Sequence, residues 1–113
     1  APLVRPTDVN GINKAAGEYY HLVYNNVFGV RACSLRLTNV YGPRQVGDGA
    51  IRGMTLQALK NLPITLYNDG TQIRSWCFVS DFCDGVLRCC ENPAAVGQAF
   101  NIGNPQEMTL LER

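Results

Sequence analysis

Two groups of side chains have types and spacings suited to contacting a ligand. Arg36, Asn39, Tyr41 and Arg44 lie at the end of the apolar run 30–37 and in the loop after it, which is where open α/β sheets present ligand-contacting residues. Arg74 stands in a second polar cluster, Gln72-Ile73-Arg74-Ser75, and a guanidinium can grip a phosphate through two parallel hydrogen bonds. The excess of eight arginines over two lysines leans the same way, although an exposed strand arginine is the plainer account of Arg74. Asn10 and Lys14, four residues apart, share one face of any helix that carries them. The ammonium there can donate to a ribose hydroxyl or serve as a solvated surface charge.

Other chemistries are poorly supplied. Ser80-Asp81 reads as a helix start, with Ser80 as N-cap, rather than as a nucleophile and its partner, because the only histidine, His21, belongs to a distant helical segment. Five cysteines, Cys33, Cys77, Cys83, Cys89 and Cys90, lack Cys-x-x-Cys spacing, and one histidine completes no familiar zinc set, so reduced thiols and no metal are expected. A glycine-rich phosphate loop must follow a buried strand and open a helix. The nearest candidate, Gly47-Asp48-Gly49-Ala50-Ile51-Arg52-Gly53, has no such strand before it and reads as a flexible loop with a helix start. Trp76, Phe78 and Phe82 read as core anchors.

The elements that must position these residues follow from periodicity and punctuation. Val9, Ile12, Ala16, Tyr19, Tyr20, Val23 and Val27 recur at three- and four-residue steps, which predicts a first helix with Thr7 or Asp8 as cap and Asn25, Asn26 and Gly29 as stop. Residues 30–37 follow as a strand, and 38–49, rich in glycine and proline, as a loop. A second helix runs to about Asn61, ended by Pro63. Ile64-Thr65-Leu66-Tyr67 and the run 72–79 flank Asn68-Asp69-Gly70-Thr71, which predicts a β-hairpin. A third helix to Asn92, a short strand 99–103 and a helix starting at Thr109 complete the chain. Alternating helices and strands give an α/β or α+β class.

Composition narrows the partners. With 113 residues, 46% hydrophobic and 17% charged, one domain is expected. A net charge of +1 with scattered cations argues against nucleic acid. No apolar run approaches the ~20 residues of a membrane span, and the first residues lack the order of a signal peptide, so a cytoplasmic protein with no membrane partner is expected.

Taken in order, the segments 10–18 (Asn-Gly-Ile-Asn-Lys-Ala-Ala-Gly-Glu), 35–44 (Leu-Arg-Leu-Thr-Asn-Val-Tyr-Gly-Pro-Arg), 69–81 (Asp-Gly-Thr-Gln-Ile-Arg-Ser-Trp-Cys-Phe-Val-Ser-Asp) and 100–103 (Phe-Asn-Ile-Gly) resemble the extended short-chain dehydrogenase/reductases. More narrowly they resemble NAD-dependent nucleotide-sugar epimerases and dehydratases. The resemblance implies a partial Rossmann-type edge, helix then strand, plus a small α+β substrate-binding lobe with the hairpin. It implies that Lys14 holds the nicotinamide ribose, that Asn39, Arg44 and Arg74 contact the nucleotide sugar, and that Tyr41 shapes the cofactor and substrate cleft. The family's helix carries Tyr-x-x-x-Lys, and Asn10 stands at the tyrosine position. An amide cannot act as that base, so the proton transfer is lost or falls to another residue.

The family's glycine-rich loop, acidic ribose ligand and catalytic Ser/Thr have no counterpart in this sequence, so the resemblance covers a middle-to-C-terminal, substrate-side portion. Tight NAD binding and turnover by this chain alone are not expected. Apolar surface left by absent packing partners points to a homo-oligomer or to a missing N-terminal half. The competing reading is a stand-alone nucleotide-sugar-binding or oligomerising module without redox activity.

Overall fold

The computed structural model describes residues 5–66 and 69–109. Its elements are α1 (Val9–Phe28), β1 (Ser34–Leu37), β2 (Asn39–Tyr41), α2 (Ala50–Leu59), β3 (Ile73–Phe78), α3 (Val79–Glu91), a 3-10 turn at Pro93–Ala95, β4 (Ala99–Ile102) and β5 (Glu107–Thr109). The described residues form a mixed α/β arrangement of three α-helices and two small sheets. It divides into two compact units, one of residues 1–36 and 84–101, the other of 37–83 and 102–113.

In the first unit, Asp8 caps α1 from an extended conformation, its Oδ1 accepting from the Gly11 N–H at 2.6 Å. That bond satisfies one of the amides a helix start leaves without a partner. The helix stops at Gly29, which is left-handed at φ 68°, with the Gly29 and Val30 amides returning to Asn25 and Tyr24. Periodicity located the helix but not its covered side. The half-buried stripe is Gly11, Ala15, Glu18, Leu22 and Asn25, while Ile12, Tyr19, Tyr20, Val23 and Val27 are each at least half exposed. Glu18 and Leu22 lie on the side of α1 from which a side chain reaches β1, as the Glu18–Arg36 pair shows. β1 pairs with β4. The Ser34 amide donates to the Gln98 carbonyl at 2.9 Å and the Gly97 amide to Ala32 at 2.8 Å. The expected strand 30–37 is therefore shorter, since 30–33 carry no strand.

In the second unit, β3 is the middle strand of three in the order β2-β3-β5. It runs parallel to β2, with Asn39, Val40 and Tyr41 opposite Trp76, Cys77 and Phe78, and antiparallel to β5, with Arg74 opposite Met108. Trp76 and Cys77 are buried there. The predicted hairpin is corrected by this pairing: 64–66 carry no strand, and both neighbours of β3 come from elsewhere in the sequence. Tyr67 and Asn68 lie outside the described residues. The Asp-Gly turn does form, with Asp69 Oδ1 accepting from the Thr71 amide and hydroxyl at 3.3 and 2.6 Å. Thr109 closes β5 rather than opening a helix, and α3 begins at Val79, so Ser80 sits inside its first turn. The rest of the expected last helix, 110–113, lies outside the described residues.

Candidate functional site

The second unit holds an open cleft of about 670 Å³, within the roughly 300–1,000 Å³ of small-molecule sites. One wall is the chain from Leu37 to Tyr41, the second is the loop and helix start formed by Gln45, Asp48, Gly49, Ala50 and Ile51, and the third is Gln72, Arg74 and Trp76 on and before β3. The parallel pairing of β2 with β3 sets Asn39 opposite Trp76, which brings the two walls to one place. Tyr41 is held edge-on by Trp76 and Phe78, with centroid distances of 6.4 and 5.5 Å. Such edge-to-face pairs fix ring orientation beyond simple burial.

Two glycines make the close approaches possible. At Gly42, just after β2, a Cβ would lie 2.5 Å from Val79 Cγ1, so only a bare α-carbon lets the strand end pass the start of α3. The Gln45 amide packs where a Cβ on Gly49 would stand, which closes the loop against the α2 start.

The cleft offers one guanidinium, one carboxylate and several neutral donors. Arg74 is exposed and spends a single N–H on the Ile73 carbonyl, at 2.8 Å. The other four N–H groups of the fork remain available to a ligand. Thr38 Oγ1 is buried against Gly103 with no hydrogen-bond partner among the described residues. Asn39 is exposed at the head of β2, and Asp48 is the carboxylate of the rim.

Three of the residues singled out from the sequence, Asn39, Tyr41 and Arg74, thus line one cleft. Arg44 is exposed, left-handed at φ 66°, and outside the lining residues. Arg36 belongs to the first unit, where its Nε and Nη2 donate to both carboxylate oxygens of Glu18 at 2.8 and 2.6 Å. That fork holds the Glu18 carboxyl below its ordinary range. Lys14 and Asn10 are exposed on α1 of the same unit. His21 is exposed as well, its Nδ1 3.2 Å from the buried Ser34 hydroxyl. Sequence reasoning missed Thr38, Gln45 and the 48–51 stretch. The last carries a signal, the Gly-Asp-Gly run before a helix, and the expectation that no strand precedes it is corrected: β2 ends at Tyr41, ahead of the loop that opens α2. Trp76 proves to be core and cleft wall together. Among the described residues no cluster of three or more His, Cys, Asp or Glu could hold a metal ion, and no helix is long and apolar enough to cross a membrane.

Comparison with known proteins adds to this geometry. The profile of the NAD dependent epimerase/dehydratase family matches residues 1–103. UDP-glucuronic acid decarboxylase 4 of Arabidopsis thaliana is 41% identical over 101 residues, 88% of this chain and 22% of that protein. The crystal structure of UDP-glucuronic acid 4-epimerase from Bacillus cereus, in complex with UDP-glucuronic acid and NAD, superimposes with a TM-score of 0.87 at 32% identity, over 98% of this chain and 35% of that one. dTDP-glucose 4,6-dehydratase from Bacillus anthracis, in complex with NAD, gives a TM-score of 0.89 at 31% identity with the same coverage. The chain therefore spans between about a fifth and about a third of these relatives.

Proposed function

The chain belongs to the NAD dependent epimerase/dehydratase family, and from that premise we propose that it is the substrate-side portion of an enzyme acting on a nucleotide sugar. The cleft of the second unit is the observation that carries this reading, because Asn39, Tyr41 and Arg74 come from separated segments and line it together. Arg74 grips the diphosphate with its free N–H groups, Asn39 donates from its carboxamide to the sugar diphosphate, and Tyr41 forms part of the floor. Arg44, at the rim of the following loop, contacts the ligand only at its periphery. The relatives named above act on or bind UDP- and dTDP-linked sugars, and a ligand of that class has the negative charge that Arg74 would meet.

NAD supplies, when bound, a ring that accepts a hydride from a sugar carbon and returns it. The donor set of this sequence fits one part of that cofactor: the Lys14 ammonium, exposed on α1, suits a ribose hydroxyl. The sequence contains no Gly-x-Gly-x-x-Gly run for the pyrophosphate, and the glycine-rich loop 42–49 between β2 and α2 lacks that spacing. Asn10 stands one turn before Lys14, and a carboxamide neither takes up nor releases a proton near neutral pH. This portion by itself therefore binds NAD no better than millimolar and does not turn over.

Asn10 also favours a second reading, a nucleotide-sugar-binding or oligomerising module without redox chemistry. The apolar residues exposed on α1, among them Val9 at 73% and Val27 at 68%, would then be covered by a second copy, and in the first reading by a copy or by other parts of a longer enzyme.

Calorimetric titration with UDP-glucuronic acid, UDP-glucose and dTDP-glucose tests the site. Micromolar binding of one of them, weakened at least tenfold by Arg74→Ala, is expected; no heat with any of the three would sink the assignment of the cleft. Retained binding in Arg74→Ala would move the diphosphate elsewhere.

A further inference from the structure

We propose that Arg36 is a positioning residue for Lys14: by occupying both carboxylate oxygens of Glu18, it keeps that carboxylate from pairing with the ammonium one helical turn away. Lys14 thereby presents an uncommitted donor. The inference rests on the reading that Lys14 serves a ribose hydroxyl.

Lys14 and Glu18 are four residues apart on α1, the spacing at which opposite charges pair along a helix surface. With no competitor, the two side chains are within reach of a helix-surface ion pair. Lys14 nevertheless has no ion pair or hydrogen bond among the described residues. Glu18 is turned to β1 instead, where Arg36 Nε meets Oε2 at 2.8 Å and Nη2 meets Oε1 at 2.6 Å. A two-point guanidinium fork is stronger and more directional than a contact with a mobile ammonium. It also lies out of most of the water, with the Arg36 and Glu18 side chains 24% and 17% exposed, whereas Lys14 is exposed. Screening weakens a Lys14–Glu18 contact more than the fork. The competition is therefore settled for Arg36, and the carboxylate one turn below the ammonium is spent.

A purely structural role, in which the fork only ties α1 to β1, predicts lost stability on removal of Arg36 but no change at Lys14. The two are separated by trace acetylation with peptide-resolved mass spectrometry, reading Lys14 against Lys60, the only other lysine of the sequence and also exposed. Arg36→Met frees Glu18 to pair with Lys14, and an amine held in an ion pair reacts more slowly, so the Lys14:Lys60 ratio falls about 1.5- to 2-fold, the scale of a helix-surface pair. Adding Glu18→Gln to Arg36→Met restores the wild-type ratio. Glu18→Gln alone leaves it unchanged, because Glu18 is already engaged.

A ratio unmoved in Arg36→Met that keeps the wild-type circular dichroism overturns the proposal. So does a ratio that rises in Glu18→Gln alone, which decides the matter even where Arg36→Met does not fold. Protection of Lys14 by NAD, measured with the same reagent on the protein as its gene encodes it, tests the ribose role separately. Its absence alongside the expected ratios would remove that role and leave the Arg36–Glu18–Lys14 relation standing.

Discussion

Arg36 and Arg74 carry the same side chain into opposite situations. Arg36 is locked onto Glu18, and Arg74 is exposed with most of its fork unengaged. Their variants should therefore divide by readout. Arg36→Met lowers stability near neutral pH. Because the fork depresses the Glu18 carboxyl, its contribution is fully present above the unfolded carboxylate value of about 4.3 and is lost as pH falls through the lower folded value. The gap between wild type and Arg36→Met in urea unfolding should hold from about pH 5 to 7 and close in stronger acid; a gap that persists there would assign the loss to packing of the arginine stem. Arg74→Ala should change unfolding by less than about 0.5 kcal/mol, as expected for an exposed residue, while weakening nucleotide-sugar binding at least tenfold. Cys33 has the other sign. Partial burial and the neighbouring Cys89 push its thiol up, so its contribution holds below the free thiol value of about 8.5 and is lost as pH rises through the higher folded value. Iodoacetamide at about pH 8.5 should label exposed Cys83 and Cys90 before Cys33, and equal rates would contradict this placement.

Among the elements, α1 was legible because its signals are local. The apolar period, the Asp8 cap and the Gly29 stop all fall within one helix and its flanks. Asp8→Ala should cost about 1 kcal/mol, the usual worth of an N-cap, in thermal unfolding followed by circular dichroism; a loss below about 0.3 kcal/mol would mean that the cap is not made in solution. β3 was legible as a strand and not in its pairing. The Asp-Gly turn suggested the preceding apolar run as partner, whereas the register that buries Trp76 and Cys77 uses β2 and β5. Pairing between strands remote in sequence leaves no local mark, so a turn signal alone overstates a hairpin. Gly42, after β2, packs against Val79 at the start of α3, and Gly42→Ala should cost roughly 1–3 kcal/mol by overpacking against it. Val79→Ala added to it should recover part of that loss, and an additive double variant would place the strain elsewhere.

For the molecule as a whole, the exposed side of α1 is its most conspicuous surface. Tyr19, Tyr20, Val23, Tyr24, Val27 and Phe28 are all exposed by half or more, and exposed apolar stripes of that kind are the surfaces through which proteins associate. Expressed alone at tens of micromolar, the chain should give a light-scattering mass above its 12.4 kDa. Tyr20→Glu with Val27→Glu should bring it to the monomer. A monomeric wild type at that concentration would rule out self-association through this face.

The sequence by itself determined α1 with its Asp8 cap and Gly29 stop, the presence of α2 and α3, the α/β class and, through four ordered motifs, the family, since each rests on spacing within a short segment. It also marked Asn39, Tyr41 and Arg74. Only the tertiary structure decided that these three share a cleft with Thr38, Gln45 and Asp48, and that Arg36 leaves the ligand cluster for Glu18. The physical reason is the same in both cases. Which side chains meet is set by strand register and by competition among charged partners, and neither is written in the order of the residues.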